Sequence, residues 1–97
     1  MKNYYSTINQ VTLTFSDIKT NENGFETILA RFERANEKGF DFSEWKLPCI
    51  CNVKSFGFSE DEIMEQERYL RNNVPLIWEI ARGRNSFERL EKDQKIY

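Results

Sequence analysis

The stretch Phe58-Ser59-Glu60-Asp61-Glu62-Ile63 constrains the fold of this chain more than any other. Ser59 and Glu62 have the spacing of a capping box, in which the hydroxyl accepts from one free backbone N–H of a helix start and the carboxylate accepts from another. Phe58 and Ile63 take the flanking positions of a hydrophobic staple, so a helix is expected from Glu60. Glu60, Asp61, Glu62, Glu65 and Glu67 crowd its first turns, where the positive end of the helix dipole favours them. Ile63, Leu70, Val74, Ile77 and Ala81 recur at helical spacing as a stripe that needs a core to face. Pro75 lacks a backbone donor and biases Val74 away from helical angles, which predicts either a kink there or, the favoured reading, an end near Asn72 and a restart at Pro75 capped by Asn73, with a stop at Gly83. Ser86 is expected to cap a last short helix with Phe87 and Leu90 on one side, making residues 84–97 a loosely attached C-terminal helix or tail.

A helix of this kind needs a sheet, and the first half of the chain supplies one. Val11, Leu13 and Phe15 alternate with Thr12, Thr14 and Ser16 as a strand with one wet face. Asn23-Gly24 suits a turn, and a second strand from Phe25 to Arg34 places Ile28, Ala30 and Phe32 on one face. A two-residue loop would pair Phe15 with Phe32, while a four-residue loop from Asn21 to Gly24 would pair Phe15 with Ala30 and Leu13 with Phe32; a three-residue loop is disfavoured, since without a bulge to absorb the extra residue it sets Phe15 opposite polar neighbours. Residues 35–46 show turn chemistry at Asn36 and Gly39 and read as a packed, aromatic-rich connection. Leu47, Cys49, Cys51 and Val53 alternate with Pro48, Ile50, Asn52 and Lys54 as a third strand, and residues 4–8 are a candidate fourth. The expected fold is α+β: a three- or four-stranded antiparallel sheet with a helical pair packed on one face, as a single domain over residues 1–97.

Composition narrows the functional classes. The 97 residues carry a formal charge of −2, without the basic footprint that phosphate contacts require, so no direct nucleic-acid binding is expected. No apolar run approaches the roughly 20 residues of a bilayer span and no signal-type leader opens the chain, so a cytoplasmic protein without membrane contact is expected. The chain has no histidine, phosphate-binding loop, nucleophile elbow or metal-spaced cluster, so neither catalysis, cofactor nor metal is expected. Cys49 and Cys51 read as two reduced core thiols, because strand neighbours two apart do not readily reach disulfide geometry.

The remaining signal is for binding. Ile18, Leu29 and Ile50 fall on the parity opposite to the core set of their strands, which gives the outer sheet face apolar residues that alternation would have made polar. Phe40, Phe42 and Trp45 extend that candidate partner surface, and the carboxylates Glu60, Asp61 and Glu65 offer a second one. The segments Gly39-Phe40-Asp41-Phe42, Leu47-Pro48, Phe56-Gly57-Phe58-Ser59-Glu60, Tyr69-Leu70-Arg71-Asn72-Asn73 and Ile77-Trp78-Glu79 together resemble a group of small proteins carried by mobile elements of Gram-positive bacteria. That resemblance implies a setting of plasmids, prophages and conjugative elements, where short acidic proteins without enzymatic motifs act as inhibitors of host defence, anti-CRISPR proteins among them. The leading expectation is therefore a non-enzymatic protein-binding module whose partner is a CRISPR-Cas nuclease of the Cas9 kind. The alternative is a regulatory or structural homo-oligomer, such as a homodimer joined at the sheet edge and serving conjugation or transcription.

Overall fold

The structure is a computed structural model that describes residues 3–94, with side chains described as far as Gly83. Six strands, β1 (Asn3–Ile8), β2 (Val11–Phe15), β3 (Lys19–Thr20), β4 (Glu26–Asn36), β5 (Gly39–Leu47) and β6 (Cys51–Phe56), precede one helix, α1 (Glu60–Gln94). The strands form an antiparallel meander in the order β1-β2-β4-β5-β6, with β3 pairing the start of β4. This corrects the expected three- or four-stranded sheet with a helical pair: the sheet is larger, and the helix is single.

The β1–β2 turn is closed by Asn9 and Gln10, both at positive φ, the two-residue geometry whose twist matches the strands it joins. Next, Leu13 lies opposite Phe32 and Phe15 opposite Ala30, one of the two registers expected from the apolar pattern. The loop that delivers it is different. Thr20 pairs with Glu26 and Asn21 N–H donates to the Phe25 carbonyl at 2.9 Å, leaving Glu22, Asn23 and Gly24 as a three-residue tip. The extra residue is absorbed at Ser16, where the Leu29 N–H bonds the serine hydroxyl at 2.9 Å instead of a strand carbonyl.

β5 occupies the stretch read as a packed connection. Asn36 pairs with Gly39 across a tight turn, and the two long strands run together to Ile28 and Leu47. Asp41, Ser43, Trp45 and Leu47 point towards the helix while Phe40, Phe42, Glu44 and Lys46 point away. Three aromatic or acidic residues on the unexpected sides hide the alternation. The third strand shifts accordingly to Cys51–Phe56, with Pro48, Cys49 and Ile50 left in the turn before it.

The helix lies across the face formed by Leu13, Phe15, Ile28, Ala30, Phe32, Trp45 and Leu47, against which it buries Leu70, Ile77 and Ala81. Ile63, Val74 and Trp78 complete the stripe from its flanks. Each fully buried aliphatic side chain contributes about 1.5–3 kcal/mol, and that stripe continues unbroken past Pro75. The expected break and restart are absent: Ile77 and Ala81 share one stripe with Leu70 when the helix continues in register through Pro75, and their burial is of the same order as the roughly 3 kcal/mol an interior proline costs. Asn73, expected as a cap, instead donates Nδ2 to the Tyr69 carbonyl at 2.7 Å and accepts the Tyr5 hydroxyl at 2.7 Å. Ser86, Phe87 and Leu90 lie outside the residues whose side chains are described, and residues 95–97 outside the described chain.

One polar chain crosses this core. The Trp45 indole N–H donates to Ser43 Oγ at 2.9 Å, and that hydroxyl donates to Gln66 Oε1 of the helix at 2.5 Å. All three residues are buried, so the chain fixes which turn of the helix sits over β5.

Candidate interaction surface

Ser59 and Glu62 form the reciprocal cap expected of them: the Glu62 N–H donates to Ser59 Oγ at 3.2 Å and the Ser59 N–H to Glu62 Oε1 at 2.9 Å. Glu62 also accepts Arg34 Nη1 at 2.5 Å, while the other side of that guanidinium holds Asp41 at 2.8 Å. Arg34 lies over the Phe58 ring, 4.7 Å from its centroid, so the cap, the staple and the β4–β5 pair are tied at one point. The guanidinium first, and the Ser59 backbone N–H second, hold the Glu62 carboxyl below its ordinary value; the hydrogen bonds to Glu62 first and Asp41 second raise Arg34. Gly57 makes the corner at φ +89°, and a Cβ there would overlap the Asp41 carboxylate. Glu60, Asp61 and Glu65 project from this start, exposed.

The outer sheet face is built differently from its expected form. Ile18 and Ile50 are half-buried and pack against the core, and Trp45 is 1% exposed, so these three belong to the interior side of the molecule. Leu29 is half-buried on the outer face, opposite Lys46. Phe42 is the centre of that face: the Arg31 guanidinium lies 4.4 Å from its ring centroid and the Lys54 ammonium 5.8 Å away. Arg31 is held in place by Glu44 at 2.8 Å and Glu33 at 3.4 Å.

Phe56, absent from the expected surface, pairs with Phe42 across β5 and β6 and stacks on it at 6.3 Å. Phe56 is 64% exposed and Phe40 57% exposed, and together with Asn36, Glu37 and Lys38 they line an open cleft of about 470 Å³ at the end of the β4–β5 hairpin. The signal for Phe56 was present in the sequence, but placing it requires knowing that β5 exists. All six residues of β6 are exposed, and among the described residues the strand has a neighbour on one side alone. Its outward backbone groups form an open hydrogen-bonding edge.

Cys49 and Cys51 overturn the expectation of reduced core thiols. Both are exposed and joined as a disulfide with Cα atoms 5.4 Å apart, because Cys49 lies in the turn rather than on a strand and Ile50, at φ +53°, reverses the chain between them.

Comparison with protein-family models, curated proteins and solved structures gives no match to this chain. Among the described residues no helix is long and apolar enough to cross a membrane.

Proposed function

We propose that the chain is a non-enzymatic protein-binding module that takes an extended segment of a protein partner along β6, with Phe56, Phe42 and Phe40 as anchors. The observation that carries this reading is the coincidence of an exposed edge strand with two exposed aromatics, Phe56 at its end and Phe40 on β5. Main-chain pairing along such an edge supplies affinity, and pockets for alternate side chains supply selection. Large aromatics in a shallow cleft are also the residues that dominate binding energy when covered. The partner class that the mobile-element resemblance favours is a CRISPR-Cas nuclease of the Cas9 kind, with Glu60, Asp61 and Glu65 meeting basic groups beside the docked segment.

The test adds excess protein to such a nuclease and follows guide loading, target binding and cutting. Inhibition by the parent that Phe40→Lys and Phe56→Lys each weaken at least tenfold, with unfolding midpoints unchanged, supports the reading. Inhibition equal in parent and variants removes β6 and its aromatics as the docking surface. A nuclease unaffected at all three steps removes the nuclease as partner. The same open edge fits a second copy of the chain, and a dimer in sedimentation that Val53→Pro converts to monomer assigns the edge to self-association.

A further inference from the structure

The Cys49–Cys51 bond ties no two elements together. It spans a sequence separation of two within one turn, and both residues are exposed. A structural disulfide closes a long loop or is shielded from thiols; exposed bonds are the ones that exchange. The turn that carries it is nonetheless well anchored, by fully buried Leu47 on one side and by Ile50 packed against the core between the two cysteines. The sulfurs therefore stay close to one another when the bond opens.

Two groups of one neighbour, Lys46, suit the open state. Cys49 Sγ lies 3.2 Å from the Lys46 carbonyl oxygen, an acceptor waiting for a thiol hydrogen. Lys46 is also the cross-strand partner of Cys51, which places a lysine side chain on the same sheet face as the second sulfur. A cation beside a thiol favours its thiolate and makes that sulfur the better leaving group.

We infer that Cys49 and Cys51 are a reversible thiol–disulfide exchange site whose co-reactant is a small dithiol or a dithiol protein. A thiolate of the co-reactant attacks Cys49 Sγ, forming a mixed disulfide and expelling Cys51 as thiolate beside Lys46. The second thiol of the co-reactant, deprotonated, then attacks its own bonded sulfur and expels Cys49, which takes up a proton and donates it to the Lys46 carbonyl. The protein gains two electrons, the co-reactant leaves as its cyclic disulfide, and the reverse sequence regenerates the bond from the two thiols.

The experiment uses the full chain without denaturant. Dithiothreitol followed by iodoacetamide should add two alkyl groups by mass. After removal of dithiothreitol, oxidised glutathione should close the bond again, leaving no alkylation and no glutathione on the parent, whereas Cys49→Ser and Cys51→Ser should each retain one glutathione. Lys46→Gln should slow the opening by dithiothreitol several-fold in the native protein and leave the rate unchanged in the urea-unfolded chain. A bond that dithiothreitol opens only after unfolding, or a parent that keeps glutathione instead of closing, overturns the proposal. An opening rate unchanged by Lys46→Gln overturns the role given to Cys51 as the leaving thiolate.

Discussion

Replacing Gln66 by leucine, Ser43 by alanine, and both together tests whether one buried polar chain sets the position of the helix on the sheet. Ser43 is 0% exposed, Trp45 1% and Gln66 7%, so the serine hydroxyl and the indole N–H do not regain water when a partner is lost. Gln66→Leu leaves the Ser43 hydroxyl hydrogen without an acceptor, and one unpaired buried group costs about 1–3 kcal/mol. Ser43→Ala strands two groups, the Trp45 indole N–H and the Gln66 carbonyl oxygen, and should cost about 2–4 kcal/mol. In the double variant the indole N–H alone is unpaired, so its loss should return to about 1–3 kcal/mol, well short of the sum of the single losses. A domain of this size has roughly 5–15 kcal/mol to lose, so all three variants should remain folded and measurable. Urea unfolding followed by circular dichroism reads the three midpoints, with the slope checked for constancy. Losses that add to within about 0.5 kcal/mol would mean that Ser43 and Gln66 do not share a bond, and would refute the placement of α1 over β5.

Two further perturbations address the corner where β6 enters the helix. The Glu62 carboxyl titrates below its ordinary value of 4.5, so its contribution to stability is present above that pH and is lost as the pH falls through the lower folded value. The difference in urea midpoint between the parent and Glu62→Gln should therefore shrink on acidification from about pH 6 to below about pH 4, and a constant difference would show that Glu62 and Arg34 are unpaired in solution. Gly57→Ala should cost about 1–3 kcal/mol from its positive φ alone, with a further loss from collision with Asp41. In an Asp41→Ala background the same change should cost measurably less, and an equal cost in both backgrounds would separate Gly57 from Asp41.

What the sequence declares about this fold follows how local each signal is. The cap at Ser59 and Glu62 needs only four residues to be recognised, and it forms where the spacing places it. The register of β2 on β4 is similarly readable, because Leu13, Phe15, Ala30 and Phe32 must share one face whichever loop joins them. Local rules misread Pro75, since the opposing term, the burial of Ile77 and Ala81, comes from residues distant in sequence on β2, β4 and β5. β5 was concealed for a related reason. Ser43 occupies a core position that a polar residue fills at no net cost only when Trp45 and Gln66 are already beside it.

The interaction surface was less legible because strand parity does not survive a bulge. Counting outward from Phe15 puts Ile18 on the wet face, but the irregularity at Ser16 turns it back to the core. Counting from Leu47 places Ile50 outside on a strand that the turn has not yet begun. A second irregularity between Glu44 and Trp45, where β6 pairs out of step, lets Lys54 and Phe56 join Phe42 while Asn52 faces Trp45. The outer face thus loses Trp45 and gains Phe56, a ring of similar reach in a very different place. That exchange moves the apolar surface from the middle of the sheet to its open edge, where backbone donors and acceptors are also free. An aliphatic patch in mid-sheet would need a flat partner; aromatics beside an unpaired strand suit an extended one, which is why replacing Phe56 discriminates the edge from the face more sharply than replacing Leu29.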